Sequence, residues 1–195
     1  MIIECIGLPK SGKSSFARSA PPEVLVVPQE VPSRYTTTFL TRYPLFSFVY
    51  VALLLLESLR TRTLPLLRFK LSLFKTTIAR FAYAQEQKGN VVLDEGCLQR
   101  ILSLYERART KKELQFLVQL APRGERIVLL EGNPEELLGA PARARKGEQY
   151  LKTWRQMLAG NLTALTALLP ENELVRCSLQ EGKPVCSRDA FASYT

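Results

Sequence analysis

The residues with the clearest chemical meaning, 7–14, read GLPKSGKS and fit the pattern G-x-x-x-x-G-K-[ST] directly after an apolar run. Gly7 and Gly12 let the backbone wrap closely around an oxyanion, and successive N–H groups with a helix N-terminus hold phosphate oxygens. Lys13 then reaches the β- and γ-phosphates, and the Ser14 hydroxyl coordinates Mg²⁺. The alternative is a glycine-rich turn without a ligand. The predicted nucleotide-binding residues are Gly7, Pro9, Lys10, Ser11, Gly12, Lys13, Ser14 and Ser15.

Carboxylates follow a second apolar run. Asp94 and Glu95 come directly after Val91-Val92-Leu93. A buried strand that ends in a carboxylate is suited to hold magnesium beside a phosphate loop, so Ser14 and Asp94 are the predicted metal ligands. Glu95 either shares this task or faces a second substrate. The alternative for Asp94 is an ordinary N-cap of the helix predicted from residue 97.

A third group of candidates lies in residues 139–147, which read GAPARARKG and carry three cations among small residues. Phosphoryl transfer spreads negative charge over the transferred group, and arginines that close over it stabilise the transition state. Arg143 and Arg145 are therefore predicted catalytic residues of a lid over about 139–147. The alternative is an exposed basic loop.

The pattern of elements that must position these residues alternates between strands and helices. Apolar runs predict strands at 2–6, 24–27, 91–93, 126–130 and 173–178, and helical spacing predicts helices at 14–19, 97–109, 110–120 and 148–169. A capping box, Thr110 to Glu113, begins one helix, and Asn133-Pro134 begins another. This alternation predicts an α/β fold in which helices flank a five-stranded parallel sheet. The 195 residues are predicted to form one domain.

Residues 36–87 are predicted to be a helical insertion that binds the acceptor. Within it, residues 44–56 are apolar except Ser47, which favours a buried helix over an interfacial or dimerising surface, and thirteen residues are too few to span a membrane. Between residues 58 and 85 the chain carries six basic residues and no acidic residue. This charge pattern is compatible both with solvated helix faces and with a surface that faces an anion. The six basic residues are Arg60, Arg62, Arg68, Lys70, Lys75 and Arg80.

Composition excludes several kinds of chemistry. The chain has no histidine, which removes His-based acid–base catalysis and the common zinc sites. A net charge of +9 favours anionic partners, so a nucleic acid or an anionic membrane surface stays open beside phosphates, as does a homodimer. The four cysteines form no CxxC pair, and Cys5 and Cys177 are predicted to be buried reduced thiols. Charged Glu4 and Lys10 interrupt the first residues, so no signal peptide is predicted, and the cytoplasm is the expected compartment.

Together the glycine loop, the strand end at Asp94 and the arginine-rich lid resemble the P-loop small-molecule kinases, nearest to the thymidylate-kinase and deoxynucleoside-kinase-like families. The run VVPQE at 26–30 is similar to the end of strand two in deoxynucleoside kinases, and this resemblance implies that Glu30 is the general base. The chain differs from those families in carrying Glu95 where they have an arginine, and Arg100 is a candidate replacement. The resemblance implies a three-layer P-loop NTPase fold.

The function predicted from these features is transfer of the γ-phosphoryl group of ATP, with Mg²⁺, to a small acceptor that is anionic or nucleoside-like. Lys13, Glu30, Arg143 and Arg145 are the predicted catalytic residues. The alternative is an NTPase whose hydrolysis of ATP or GTP switches or drives a partner. The chain has no Asn-Lys-x-Asp guanine motif, which favours ATP.

Overall fold

The computed structural model describes residues 1–61, 64–131, 148–180, 183–187 and 189–191 of the chain. The strands are β1 (Ile2–Gly7), β2 (Leu25–Val26), β3 (Val91–Leu93), β4 (Arg126–Glu131), β5 (Leu174–Gln180) and β6 (Lys183–Cys186). The helices are α1 (Lys13–Arg18), α2 (Arg34–Arg42), α3 (Pro44–Arg60), α4 (Leu64–Glu86), α5 (Cys97–Leu104), α6 (Lys111–Leu120) and α7 (Glu148–Thr166). The predicted lid and the helix start at Asn133 lie outside the described residues.

One mixed sheet organises the molecule, with strand order β2-β3-β1-β4-β5-β6. The first five strands in this order are parallel, and β6 pairs antiparallel with β5. The α/β prediction is confirmed, whereas the prediction of a purely parallel five-stranded sheet is wrong. An antiparallel partner needs only a short hairpin, and two residues, Glu181-Gly182, separate β5 from β6.

Helices cover both faces of the sheet because the central strand β1 is mainly apolar on both faces, with Glu4 as its one charged residue. Ile2 and Ile6 belong to one core cluster with side chains of α3 to α6, while Ile3 and Cys5 belong to a second cluster with Phe16 of α1. Successive side chains of a strand point to opposite faces, so a continuous apolar run is what a central parallel strand requires. The carboxyl end of β1 is thereby fixed between helix layers.

Between β2 and β3 the chain forms the three helices α2, α3 and α4. The prediction of a buried helix at 44–56 is only half right. Phe46, Tyr50 and Leu54 are buried against the core, but the opposite face of α3 is open to solvent. Its exposed apolar side chains are Leu45, Phe48, Leu55, Leu56 and Leu59.

Local signals account for some element ends and not others. At Thr110 both halves of the predicted capping box are present. The helix predicted at 97–109 ends earlier, at Leu104, because Tyr105 takes an extended conformation with ψ of 145°. β2 is also shorter than the predicted strand, with two exposed residues.

The cysteines correct one prediction. Cys5 is buried and free, as expected, but Cys177 is joined to Cys186 by a disulfide that ties β5 to β6. The prediction treated each cysteine without its cross-strand partner, because β6 was not foreseen.

Candidate phosphate-binding site

The glycine loop, residues 7–14, connects the end of β1 to the start of α1. Lys10 has a φ of 63° and Gly12 a φ of 89°, so the backbone turns through the left-handed region twice. A Cβ at Gly7 would lie 2.5 Å from Ser11 Oγ and 2.6 Å from the Leu130 carbonyl oxygen. Gly7 is therefore required by close packing, and the loop curls tightly above the sheet.

Inside the loop, the Lys13 side chain folds back onto the backbone. Its Nζ donates hydrogen bonds to the carbonyl oxygens of Gly7, at 3.2 Å, and Leu8, at 3.0 Å. Lys13 is 7% exposed, and burial lowers the pKa of its ammonium group, an effect that Glu95 partly opposes. A nearby anion would restore the preference for the charged form, so the loop holds a cation that is short of negative partners.

Asp94, at the end of β3, meets the glycine loop. The Ser14 hydroxyl donates to Asp94 Oδ2 at 3.3 Å, and the Gln29 amide donates to the same oxygen at 3.0 Å. The capping alternative for Asp94 is wrong, because Gly96 is the N-cap of α5. The two predicted metal ligands, Ser14 and Asp94, are thus adjacent in space although eighty positions separate them in sequence.

Arg80 is a member of this site that sequence reasoning missed. Its Nη2 lies 2.6 Å from Asp94 Oδ1, and both side chains are buried. The guanidinium also donates to the carbonyl oxygens of Val27 and Pro28, which links the end of β2 to β3. In the sequence analysis, Arg80 is only the last cation of a basic run. Arg80 therefore fixes Asp94 so that Oδ2 faces Ser14.

The donor set at Ser14 and Asp94 fits magnesium. Among the residues that the structure describes, no group of three or more Cys, Asp or Glu side chains could hold a metal ion alone. Magnesium is commonly held by one or two protein oxygens together with substrate phosphates and water, and a hydroxyl beside a carboxylate oxygen supplies that pair. Ser14 is exposed, so its hydroxyl is accessible from solvent.

A buried carboxylate couples the glycine loop to helix α5. Glu4 of β1 accepts hydrogen bonds from the backbone N–H groups of Leu98, at 2.7 Å, and Gly124, at 3.3 Å. Complete burial raises the pKa of Glu4 to about 7, although these N–H groups act in the opposite direction. The next residue of α5 is Gln99, whose Oε1 accepts from the Gly7 N–H at 3.0 Å. The start of α5 is thus fixed against both β1 and the loop.

A cavity of about 560 Å³ opens directly beside the glycine loop. The backbone segment 7–9 and Glu95 form its wall on the loop side. Helices α3, α4, α5 and α7, with the two residues that follow α5, supply the rest. The other lining residues are Tyr50, Leu66, Phe69, Lys70, Leu73, Gln99, Arg100, Leu102, Ser103, Tyr105, Glu106, Trp154 and Leu158. This volume is typical of a site for a drug-sized molecule.

The charged residues in this cavity form ion pairs. Lys70 Nζ lies 2.5 Å from Glu106 Oε1, and Arg100 is paired with Glu95. The sequence singled out Arg100 and Glu95 as candidates, but it did not indicate Glu106. That residue lies just beyond the end of α5, whereas the sequence pattern predicted continued helix.

The remaining predicted residues are only partly brought together. Pro9 lines the cavity, Ser11 is buried in the loop, Ser15 is half-buried and Lys10 is exposed. Glu30 is exposed and is not part of the cavity wall. Arg143 and Arg145 lie outside the described residues.

Comparisons with protein-family models, curated proteins and solved structures show no similarity that identifies a family for this chain. Within the described ranges, no single helix is long and apolar enough to cross a bilayer. Only α2 and α3 taken together reach that length and composition, and they meet at an angle of 100°.

Proposed function

We propose that this protein is a P-loop phosphotransferase that moves the γ-phosphoryl group of ATP to an acceptor hydroxyl. The observation that carries the proposal is the meeting of Lys13, Ser14 and Asp94 at the carboxyl ends of two adjacent parallel strands. Ligands of open α/β sheets bind at such strand ends. The proposal includes a three-layer P-loop NTPase fold.

The loop residues do the binding. The backbone N–H groups of residues 7–14 receive phosphate oxygens, and Lys13 exchanges its contacts with the Gly7 and Leu8 carbonyls for the β- and γ-phosphates. Since Lys13 is buried and has few negative partners, a polyphosphate offers it stronger neutralisation than the carbonyls do. Ser14 and Asp94 would hold Mg²⁺, which neutralises charge that develops on the phosphates.

The acceptor hydroxyl needs a position in line with the γ-phosphate and a group that takes its proton. The cavity beside segment 7–9 supplies the position, and Glu95 lines that cavity. Glu30, the base implied by the resemblance, is exposed. A loose transition state asks only modest help from a base, so a carboxylate paired with Arg100 is sufficient.

The test is transfer of label from [γ-³²P]ATP to a panel of acceptors, run with and without Mg²⁺ beside an acceptor-free control. We expect the label to appear in one of the acceptors. In the control without an acceptor, we expect little release of inorganic phosphate. Release of phosphate at the same rate without any acceptor overturns the transferase proposal and favours the alternative, an NTPase that acts on a partner.

Lys13→Ala and Lys112→Ala provide the matched pair of variants for this assay. Lys112 is an exposed lysine on α6, so its replacement lowers the net charge by the same amount and leaves the glycine loop unchanged. Loss of transfer in Lys13→Ala alone supports the proposal, and equal activity in both variants contradicts it.

A further inference from the structure

The cavity next to the glycine loop indicates what kind of acceptor the proposed transferase uses, and the following inference rests on that proposed function. Gly7, Leu8 and Pro9 contribute to its wall, as does Glu95 at the end of β3. A molecule in this cavity therefore lies against the loop that would hold the phosphates.

The walls of the cavity are mainly apolar. On α4, Leu66, Phe69 and Leu73 follow one another at spacings of three and four residues, so they lie on one face of the helix. Trp154 and Leu158 form the equivalent pair on α7. Aromatic rings of Tyr50 and Tyr105 and the side chain of Leu102 complete the apolar part of the wall. Such walls stabilise a ligand by removing its apolar surface from water.

The charges in the cavity balance one another. Lys70 is paired with Glu106 and Arg100 with Glu95, so the four charged lining residues within the described ranges sum to zero and each has an opposite partner. An anionic acceptor would have to break one of these pairs to find a cation. The sequence-based expectation of an anionic acceptor relied on the basic run 60–80, but of its described cations only Lys70 lines the cavity.

The uncharged polar groups of the cavity wall are turned toward the protein. Gln99 Oε1 accepts from the Gly7 N–H, and the hydroxyls of Tyr50 and Ser103 both donate to the Arg100 carbonyl oxygen, at 3.3 Å and 3.1 Å. A nucleobase needs donors and acceptors along its edge, and a site that reads one must present them. These side chains are already engaged, so the wall does not favour a nucleoside.

We infer that the phosphoryl acceptor is an uncharged alcohol with a mainly apolar body, bound in the cavity between α4, α5 and α7 with its hydroxyl toward Glu95. In the transfer, the bond between the γ-phosphorus and the β,γ-bridging oxygen breaks, and a bond forms from the hydroxyl oxygen to that phosphorus. The hydroxyl proton passes to the Glu95 carboxylate, and ADP leaves with the bonding electron pair.

Binding is tested first, without ATP, through the fluorescence of Trp154, which is the single tryptophan of the chain and lines the cavity. The probes are decanol and phenylbutanol for the apolar alcohol, decanoate for the same chain with a charge, and thymidine for a nucleoside. We expect both alcohols to change the emission at lower concentration than decanoate or thymidine. A preference for decanol over phenylbutanol indicates a lipid-like chain, and the reverse indicates an aromatic body.

A matched pair of phenylalanine variants assigns the binding to the cavity. Phe69 lines it and is 59% exposed, whereas Phe48 on α3 is 74% exposed and does not line it. We expect Phe69→Ala to weaken decanol binding about tenfold, because the variant loses the apolar contact of a partly buried ring. Phe48→Ala should leave decanol binding unchanged. Equal effects in the two variants contradict the assignment to this cavity.

A change of charge gives a second measurement that does not depend on loss of packing. Glu106→Gln leaves Lys70 without its carboxylate partner and so offers the cavity a free cation. We expect this variant to bind decanoate more tightly than the parent does, by about tenfold, with decanol nearly unaffected. An unchanged ratio of decanoate to decanol affinity overturns the argument from balanced charges.

Label transfer separates the two proposals. Transfer to decanol or phenylbutanol, with Trp154 responding to the same compound, supports both. Transfer to thymidine or to a phosphorylated acceptor, with no Trp154 response to either alcohol, overturns this inference and leaves the proposed function standing. A Trp154 response to the alcohols with no transfer to any member of the panel overturns the proposed function, and with it the role of the alcohol as acceptor.

Discussion

The glycine-loop side of the candidate site and its cavity side are built in different ways. The loop side takes most of its groups from one continuous segment, residues 7–14, and one strand end at Asp94. The cavity side collects residues from four helices, α3, α4, α5 and α7, which are far apart in sequence. The first arrangement is held by backbone geometry that a short motif specifies, and the second by packing of these helices against one another and the sheet.

This difference predicts how each side tolerates change. A substitution in the loop removes a group that has a defined contact, so its effect on chemistry should be large. A substitution in the cavity wall removes one of many apolar surfaces, so its effect should be graded.

Asp94→Asn should have the largest effect because Asp94 serves both chemistry and stability. Loss of its charge removes the proposed metal ligand and leaves Arg80 buried without a carboxylate. We expect transfer to fall by about 10³-fold and the free energy of unfolding to fall by about 3 kcal/mol. Label-transfer assays over a Mg²⁺ titration and urea denaturation measure the two effects.

Arg80→Gln is the control for this prediction, because it breaks the same ion pair and keeps the carboxylate beside Ser14. It should lose stability but retain Mg²⁺-dependent triphosphate binding. If both variants lose that dependence equally, Asp94 has a structural role only.

Lys13→Ala removes the buried cation of the loop. We expect turnover to fall by about 10²- to 10³-fold, the usual loss when one group that stabilises developing charge is deleted. Calorimetry with the ATP analogue AMP-PNP should show weaker binding as well, since Lys13 is proposed to contact the phosphates before the reaction. Unchanged affinity and turnover, relative to Lys112→Ala, would remove the loop from the proposed function.

The two candidate bases distinguish the cavity from the end of β2. Glu95 lines the cavity and Glu30 is exposed, so Glu95→Gln should lower the rate of transfer by about 10²-fold, within the usual range for a proton-accepting group. Single-turnover kinetics with saturating ATP measure this step without product release. A larger loss in Glu30→Gln would restore the base implied by the family resemblance.

Glu4 links the two sides, because it holds the start of α5 against β1, and its titration should be visible in stability. The folded protein keeps the proton of Glu4 up to about pH 7, whereas the unfolded chain releases it near 4.5. The folded state therefore binds more protons between these values, and stability should fall as the pH rises, by about 2 kcal/mol from pH 5 to pH 7. Urea denaturation across this range should give a flatter profile for Glu4→Gln, and the same slope in both proteins would contradict the assignment.

Much of the loop side could be predicted from the sequence, and little of the cavity side. The glycine loop and the strand before Asp94 are contiguous patterns, and their contact follows from the rule that parallel strands bring their carboxyl ends to one edge. Arg80 was visible as a cation but not as the partner of Asp94, because that contact depends on how α4 crosses the sheet. The charge balance of the cavity was hidden for the same reason: Lys70 and Glu106 come from different elements.

The sheet shows a similar limit. The parallel arrangement of β1 to β5 follows from the alternation of strands with helices. Strand β6 instead pairs antiparallel with β5, which the apolar pattern did not predict. The disulfide between Cys177 and Cys186 was missed with it, since cross-strand pairing is what brings the two residues together.

The outer strands also decide how copies of this chain can aggregate. Sheets grow into fibrils when an edge offers a row of free backbone donors to another chain. Here one edge, β2, has two residues, and the other, β6, contains Pro184, which has no backbone N–H. Both edges are thus poor templates for strand addition. Crowding at high concentration should therefore bring molecules together through helix surfaces such as the exposed side of α3, and not through extension of the sheet.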